Sequence, residues 1–262
     1  METGLRNRVA IVAGSSQGLG RATAFAFAAE GAHVALCARN RQALEETATE
    51  IRDRFAVQTH AEAFDVRDSS AVSDFVANVV QVFDRLDICV TNAGGPPAKE
   101  FLQTTDQDWD ATFVLNLRSA AVFARAVIPH MQRQRWGRII TISSITVRQP
   151  QPQLILSNAI RAGVMGLVRS LSNEFGKDGI LINNIAPGYT ATERLKELSA
   201  HRASLLRQTE QEVEQTWAEQ IPIGRLGRPE EVADAIVWLA SERASFITGQ
   251  TILIDGGMYR GL

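Results

Sequence analysis

The sequence has 262 residues, of which 45% are hydrophobic and 21% are charged, and its 27 lysines and arginines nearly balance 29 aspartates and glutamates. A chain of this length and composition holds enough apolar residues to build a sizeable globular core. Its basic residues are scattered along the chain, which excludes a basic stripe for nucleic acid or for an anionic membrane.

Cysteines, histidines and the amino terminus point to no special chemistry. Cys37 and Cys89 lie in apolar runs, which favours buried thiols over a disulfide or a metal site. The four histidines share no ligand spacing, so no metal site is predicted. The first residues, METGLRNRVAIVAG, enter an apolar run without a signal-like region or a run of transmembrane length. We therefore expect a soluble cytoplasmic protein without a membrane partner.

Short β-branched runs alternate with longer segments of helical periodicity, which is typical of βαβ units and a parallel sheet. The runs are nearly continuously apolar, as in strands that helices cover on both faces. No linker or repeat interrupts this alternation, so we expect one α/β domain over residues 1–262. The predicted strands are VAIVA from Val9, HVALC from His33, the stretch 58–64, ICVT from Ile88, RIITI from Arg138, ILINNI from Ile180 and TILI from Thr251. The predicted helices cover 18–30, 40–54, 69–83, 106–135, 155–175, 192–219 and 229–240.

A glycine-rich turn follows the first strand and opens the first helix. Its sequence is Gly14-Ser15-Ser16-Gln17-Gly18-Leu19-Gly20. Glycine permits a tight turn and a close approach to a pyrophosphate, and the helix amino terminus offers free N–H groups to the phosphates. Glycines also serve ordinary turns, but a position between a strand and a helix is the context that a dinucleotide-binding turn requires.

The spacing G-x-x-x-G-x-G resembles that of the short-chain dehydrogenase/reductase family, in particular its 3-oxoacyl-carrier-protein-reductase-like members. Further matches follow in order along nearly the whole chain, up to the ending SFITGQTILIDGG. The resemblance implies a Rossmann-type, doubly wound, seven-stranded parallel sheet flanked by helices in a single domain. It implies a catalytic site at Asn116, Ser144 and the family's tyrosine and lysine positions. It also implies cofactor contacts at Gly14, Ser16, Gln17, Gly18, Leu19, Gly20, Asp65, Val66, Asn92, Ala93, Gly94, Pro187, Gly188, Thr190 and Thr192.

The end of the second strand carries Ala38 and then Arg39, where a carboxylate would bind the adenosine ribose hydroxyls and repel a 2′-phosphate. Arginine makes bidentate, charge-assisted bonds to a phosphate. The alternative is an exposed arginine at the strand end. We predict a preference for NADP(H), with NAD(H) as the possible second cofactor.

The tyrosine and lysine of the resembled family are absent. Counting thirteen residues on from Ser144 gives Ser157, and four more give Arg161, so the pair is Ser-x-x-x-Arg. A spacing of four puts both side chains on one helix face. By resemblance, Ser157 and Arg161 take the catalytic places, and Arg161 also contacts the cofactor ribose. Two substitutes for the proton donor stay open: a water held by Ser144 and Ser157, or Tyr189, which is favoured instead as a pocket wall.

The segment 192–220 matches the region in which the family carries its substrate lid. Its larger apolar side chains either line a pocket or pack on the domain, and packing is favoured for most of them; they are Leu195, Leu198, Leu205, Leu206, Val213 and Trp217. No cluster of fixed charges is visible in the sequence, so the expected substrate is a small, moderately apolar carbonyl or alcohol.

Three functions fit these patterns. The favoured one is an oxidoreductase that moves a hydride between NADP(H) and a small carbonyl or hydroxyl compound. The second is a nucleotide-binding protein without turnover that acts as a sensor, scaffold or partner subunit, and the Ser157 and Arg161 pair shifts weight towards it. A dinucleotide-assisted lyase or isomerase has no specific residue in its support. By resemblance, the helices predicted at 106–135 and 155–175 pair with those of other subunits in a homotetramer or homodimer.

Overall fold

Seven parallel strands form the centre of the protein in a computed structural model that describes residues 2–261. The strand order is β3-β2-β1-β4-β5-β6-β7. The predicted doubly wound, seven-stranded sheet is confirmed. The strands are β1 Val9–Ala13, β2 His33–Ala38, β3 Thr59–Ala63, β4 Ile88–Thr91, β5 Gly137–Ile142, β6 Ile180–Pro187 and β7 Thr251–Ile254.

The alternation of side chains along each strand feeds two separate cores, one on each face of the sheet. In β1, Ala10 and Val12 join one buried cluster, whereas Val9, Ile11 and Ala13 join the other. All five residues are completely buried because helices cover both faces. This double burial explains why the strand runs are continuously apolar. The edge strands β3 and β7 are only half-buried.

Nine helices flank the sheet within the part of the chain that the structure describes. They are α1 Gly18–Ala29, α2 Arg41–Arg54, α3 Ser69–Phe83, α4 Asp106–Thr112, α5 Ser119–Gln134, α6 Ile155–Phe175, α7 Glu193–Leu206, α8 Glu210–Glu219 and α9 Pro229–Ala240. The predicted helices at 155–175 and 229–240 agree with α6 and α9.

Two predicted helices differ from the structure. The segment 192–219 is not one helix: α7 ends at Leu206, its C-cap residue Arg207 has a left-handed φ of 54°, and Thr209 caps α8 together with Glu212. A left-handed residue cannot continue a right-handed helix, so the chain turns there. The segment 106–135 contains the π-helical stretch Phe113–Arg118 between α4 and α5.

One helical stretch, Asp106–Gln134, is long and apolar enough to cross a membrane by length and composition. Half of its apolar window is buried inside the domain, where Val127 and Met131 are fully enclosed. The core helix of a globular domain passes the same test, so one such helix is weak evidence for a membrane span. The predicted lack of a membrane partner stays a prediction.

The strand order places a crevice beside β1. The chain moves outwards from β1 through β2 to β3, and then returns to the other side of β1 with β4. Connections therefore leave in opposite directions at the carboxyl ends of β1 and β4, and the loops separate there. This switch point is where open α/β sheets bind their ligands, and it lies directly at the glycine-rich turn.

Candidate active site

Each glycine of the turn after β1 meets a steric need of its own. Gly14 has φ 64°, and a Cβ on it would lie 2.8 Å from Nδ2 of Asn92. Gly18 has φ 55° at the start of α1. A Cβ on Gly20 would overlap the carbonyl oxygen of Gly14 and lie 2.7 Å from its carbonyl carbon. The turn therefore packs strand against helix at a distance that only glycine permits.

The amino terminus of α1 is open towards the crevice. Gln17 is the N-cap residue, and its side chain caps no backbone N–H group. No acidic side chain lies in the first turn. The free N–H groups and the positive end of the helix dipole therefore face the space beside Ser16 and Leu19, an arrangement that suits a phosphate.

The end of β2 and the loop after β3 lie at the same edge of the sheet. Arg39 is exposed and has no hydrogen-bond partner among residues 2–261. Asp65 accepts bonds from the Arg67 guanidinium at 2.6 to 3.1 Å, and these bonds lower the pKa of Asp65, with a smaller Coulombic contribution from Arg39. Val66 packs against the core. Arg39 is thus free to meet a ligand, whereas the Asp65 carboxylate is already held by its neighbour.

The turn after β4 connects several predicted site residues. Nδ2 of Asn92 approaches the carbonyl oxygen of Gly14 at 3.5 Å. The carbonyl oxygen of Gly94 accepts a bond from Nδ2 of Asn116 at 2.9 Å and one from Arg161 at 3.4 Å. Arg161 also donates to the carbonyl of Ala93 at 3.4 Å. These bonds fix the turn against the helices behind it.

Asn116 lies in the π-helical stretch and is only 6% exposed. Its Oδ1 is buried and has no hydrogen-bond partner among the described residues. Leaving a buried acceptor without a hydrogen bond costs free energy. Oδ1 of Asn116 is therefore suited to accept a hydrogen bond from a water or a substrate hydroxyl. π-Helical turns are frequent at functional sites because they re-aim one side chain.

Ser157 and Arg161 lie one turn apart on α6, and both are more than nine-tenths buried. The Arg161 guanidinium donates to the carbonyls of Ile142, Ala93 and Gly94 at 3.3 to 3.4 Å. Burial, and secondarily the charge of Arg194, lower the pKa of Arg161 to about 10. The group still carries its charge at neutral pH. It therefore places a fixed positive charge between the ends of β4 and β5.

Three hydroxyl groups lie close to one another near the start of α6. Oγ of Ser157 and Oγ1 of Thr146 are 3.2 Å apart, and Oγ of Ser144 accepts the backbone N–H of Thr146 at 3.2 Å. Thr146 therefore lies between Ser144 and Ser157, the two serines that the sequence analysis predicted to hold a shared water. The ITISSIT segment contains Thr146, but only the short 3₁₀ turn 145–147 brings its hydroxyl to Ser157.

Tyr189 is held away from a catalytic role. Its hydroxyl donates to Oε1 of Gln151 at 3.2 Å, and its ring stacks on Trp217 with centroids 4.7 Å apart. Burial raises the pKa of Tyr189, which makes the phenol a weaker acid than usual. This geometry favours the pocket-wall interpretation. Gln151 carried no signal in the sequence.

The segment after β6 closes one side of the crevice. Gly188 packs so tightly that a Cβ on it would lie 2.9 Å from Cα of Asp255. Thr190 pairs with Gly227 in an isolated bridge, and Thr192 caps α7. A Cβ on Gly18 would lie 3.5 Å from the Thr192 methyl group, so the start of α7 borders the glycine-rich turn.

The segment 192–220 packs most of its larger apolar side chains on the domain and exposes two of them. Leu195, Val213 and Trp217 are buried in a small cluster against which Leu198 and Tyr189 pack. Leu205 and Leu206 are exposed. Four of the six large apolar side chains of this segment therefore pack on the domain, in agreement with the prediction that most of them serve packing. Within residues 2–261, no three histidine, cysteine, aspartate or glutamate side chains lie close enough to hold a metal ion.

Comparisons with known proteins agree with this geometry. A family model described as enoyl-(acyl carrier protein) reductase matches residues 13–259. The 3-oxoacyl-[acyl-carrier-protein] reductase FabG of Aquifex aeolicus is 32% identical over 259 residues, which cover 99% of this chain and 100% of the relative. L-Sorbose reductase from Gluconobacter frateurii, solved with NADPH and L-sorbose, has a TM-score of 0.95 at 33% identity and 100% coverage of both chains. YwfH, an NADPH-dependent reductase involved in bacilysin biosynthesis, has a TM-score of 0.93 at 26% identity, covering 98% of this chain and 100% of its own.

The chain therefore belongs to the short-chain dehydrogenase/reductase family, a class of NAD(P)-dependent oxidoreductases. The resemblance predicted from the motifs is confirmed.

Proposed function

We propose that this protein is an NADP(H)-dependent oxidoreductase for a small carbonyl or hydroxyl compound, in which a buried arginine and three hydroxyl groups replace the phenol and ammonium of the family. The observation that carries the proposal is the position of Arg161. Its guanidinium lies between the ends of β4 and β5, beside Ser157 and the turn at Gly94.

The cofactor part of the proposal rests on the fit of the crevice. The packed glycine turn and the uncapped start of α1 suit a pyrophosphate, and Arg39 suits a 2′-phosphate. L-Sorbose reductase was solved with NADPH, and YwfH is NADPH-dependent. Calorimetry should show tighter binding of NADPH than of NADH by the parent protein. Arg39→Asp should reverse that order, whereas the distant control Arg243→Ala should not; equal or tighter NADH binding by the parent would contradict the proposal.

The cofactor, when bound, supplies or accepts a hydride at its nicotinamide ring. In the reductive direction, the substrate oxygen gains negative charge, and Arg161 stabilises that charge from a water-poor position. Ser144 donates a hydrogen bond to the same oxygen. The proton comes from solvent and passes through the hydroxyls of Ser157 and Thr146, which lie 3.2 Å apart. Oδ1 of Asn116 accepts a bond from the water that feeds this path.

Loss of the phenol limits the rate without abolishing the reaction. General acid–base catalysis contributes about 10²- to 10⁴-fold, whereas positioning of the two reactants contributes independently of it. A slow reductase is therefore consistent with the geometry. Such an enzyme depends on the charge at position 161 more than on any single proton donor.

The test compares variants at positions 157 and 161 in a carbonyl-substrate screen with NADPH. Arg161→Met removes the charge at similar volume and should lower turnover by about 10²- to 10³-fold, the effect of losing one charge-stabilising donor. Ser157→Tyr with Arg161→Lys recreates the family's pair. Turnover by the parent that falls in the double variant supports the proposal.

The competing function is an NADP(H)-binding protein without turnover, which acts as a sensor, scaffold or partner subunit. It is favoured by one observation, the presence of Ser157 and Arg161 at the positions where the family carries its tyrosine and lysine. This function predicts tight NADPH binding and no product from the parent, together with a double variant that gains activity. That combination would overturn the proposed oxidoreductase.

Three further features belong to the same proposal. Segment 192–220 acts as the substrate lid, and the protein is cytoplasmic.

Copies of the chain pair through α5 and α6 as a homodimer or homotetramer. Phe113, in the π-helical stretch that leads into α5, is 44% exposed, which fits a surface that another copy covers. Size-exclusion chromatography with light scattering should give two or four chains per particle, and a monomer would contradict the pairing.

A further inference from the structure

Two guanidinium groups meet at the turn that follows β4. Arg161, on α6, donates hydrogen bonds to the carbonyls of Ala93 and Gly94. Arg194, the second residue of α7, donates to the carbonyl of Pro96. A Cβ on Gly95 would lie 2.7 Å from Nε of Arg194, so this guanidinium rests directly on the turn. The two charges are close enough for Arg194 to lower the pKa of Arg161.

The positive charge at this turn is poorly compensated. Arg161 is 93% removed from solvent and has only backbone carbonyls as partners within residues 2–261. Arg194 pairs with Glu197 at 2.9 Å, but that carboxylate is 64% exposed and three residues along the same helix. Solvent-exposed ion pairs of this kind contribute little to the free energy of folding. Arg161 is a buried charge without a counter-charge, which is costly, and the Arg194 guanidinium, 35% exposed, adds a second positive charge beside it. The two charges together favour the binding of an anion.

The position of the Arg194 guanidinium favours an anion on the substrate over a cofactor phosphate. The phosphate cradle is the turn Gly14–Gly20 and the start of α1, whereas Arg194 lies over Gly95 and Pro96. Ser157 lies one turn before Arg161 on α6, and Thr146 connects its hydroxyl to that of Ser144. An anion beside Arg194 would thus stand next to the oxygen on which the chemistry occurs.

We propose that the substrate carries a carboxylate close to its reacting carbonyl or hydroxyl group, as in a 2-oxo or 2-hydroxy acid, and that Arg194 binds this carboxylate beside Arg161. The inference rests on the proposed oxidoreductase function and narrows its substrate class. A carboxylate also matches guanidinium geometry, since the planar fork of arginine binds two oxygens at once. Motif spacing does not reveal this pair, because Arg161 and Arg194 are 33 positions apart in the chain.

The test measures binding rather than turnover, with pairs of probes that differ only in charge. The pairs are pyruvate with methyl pyruvate and benzoylformate with methyl benzoylformate. Calorimetry on protein saturated with NADP⁺ gives the affinity of each probe. Parent protein is compared with Arg194→Met and with Lys196→Met. The latter is a matched control, because Lys196 lies on the same helix, is 63% exposed and pairs with Glu193.

The acids should bind at least tenfold more tightly than their esters, as expected of one charge-assisted hydrogen bond or more. Arg194→Met should remove most of this preference and leave the affinity for NADPH within about threefold. Lys196→Met should retain it. Three results would overturn the inference: no preference for either acid, an unchanged preference in Arg194→Met, or a loss of NADPH affinity in that variant, which would assign Arg194 to the cofactor phosphates.

Turnover recorded with the same protein preparations and probes, with NADPH in place of NADP⁺ as the hydride donor, separates the two proposals. Preference for the acids without any product would refute the oxidoreductase and leave the carboxylate site in place. Reduction of neutral ketones at the same rate as the acids would refute the carboxylate site and leave the oxidoreductase in place.

Discussion

Replacing Gly20 by alanine tests the glycine turn as a cofactor cradle. The new Cβ would overlap the carbonyl oxygen of Gly14 and lie 2.7 Å from its carbon and 3.0 Å from the carbonyl oxygen of Ala13. All three atoms belong to the backbone, so no flexible side chain can move aside. The end of β1 and the start of α1 must separate by roughly 1 Å, and overpacking of this kind costs about 1–3 kcal/mol.

The same substitution improves helix propensity by about 1 kcal/mol, which masks part of the clash. Gly166→Ala provides the matched control, since Gly166 lies inside α6 and a Cβ there meets nothing within 4 Å. The propensity gain cancels between the two variants. The difference in their free energies of unfolding therefore reports the clash alone, about 1–3 kcal/mol in favour of Gly166→Ala.

Cofactor binding should fall in parallel. A shift of roughly 1 Å in the N–H groups at the start of α1 removes at least one charge-assisted bond to a phosphate, which weakens NADPH by about tenfold to hundredfold. Urea unfolding and fluorescence titration measure both quantities, with light scattering to show that the oligomeric state of each variant is unchanged. Gly20→Ala that unfolds like Gly166→Ala and binds NADPH like the parent would refute this account of the turn.

Two further predictions concern groups near the site. Tyr189→Phe removes the bond to Gln151 and should change turnover by less than about fivefold, whereas loss of a general acid would cost about 10²- to 10⁴-fold. The Lys99 ammonium, 2.7 Å away, and the N-cap bonds of Thr105 lower the pKa of Asp108 to about 2. A lowered pKa contributes stability above the unfolded value of 3.8 that is lost as pH falls towards 2. Asp108→Asn should therefore unfold at lower urea than the parent at pH 6, and the gap should close between pH 4 and pH 2; a constant gap would contradict the assignment.

Most of the fold could be predicted from the sequence, because the apolar pattern and the capping signals of each segment agree with the way in which that segment is buried. The strand VAIVA from Val9 is apolar at every position, since it lies at the centre of the sheet and packs on both faces. Helix α9 begins at Pro229 and has Glu230 and Glu231 in its first turn, as its capping signals predicted. The order of the motifs then assigned the family.

The remaining features depend on contacts between distant residues. The break between α7 and α8 rests on the left-handed conformation of Arg207, a residue type that gives no turn signal. Thr146 reaches Ser157 only through a 3₁₀ turn, and Arg194 reaches Arg161 only when α7 folds over the β4 turn. Periodicity and motif spacing carry no information on contacts between residues that are distant in the chain. The juxtaposition of these side chains is therefore a property of the fold.

The most direct test of the account uses NADPH deuterated at C4 of its nicotinamide ring. The parent protein and Arg161→Met are incubated with this cofactor and with benzoylformate or a panel of neutral ketones, and mass spectrometry follows deuterium in the alcohol product. The account predicts a product that carries one deuterium in the parent and about 10²- to 10³-fold less of it in Arg161→Met, the loss expected for one charge-stabilising donor. Tight binding of NADPH by the parent with no deuterated product from any carbonyl compound would contradict it.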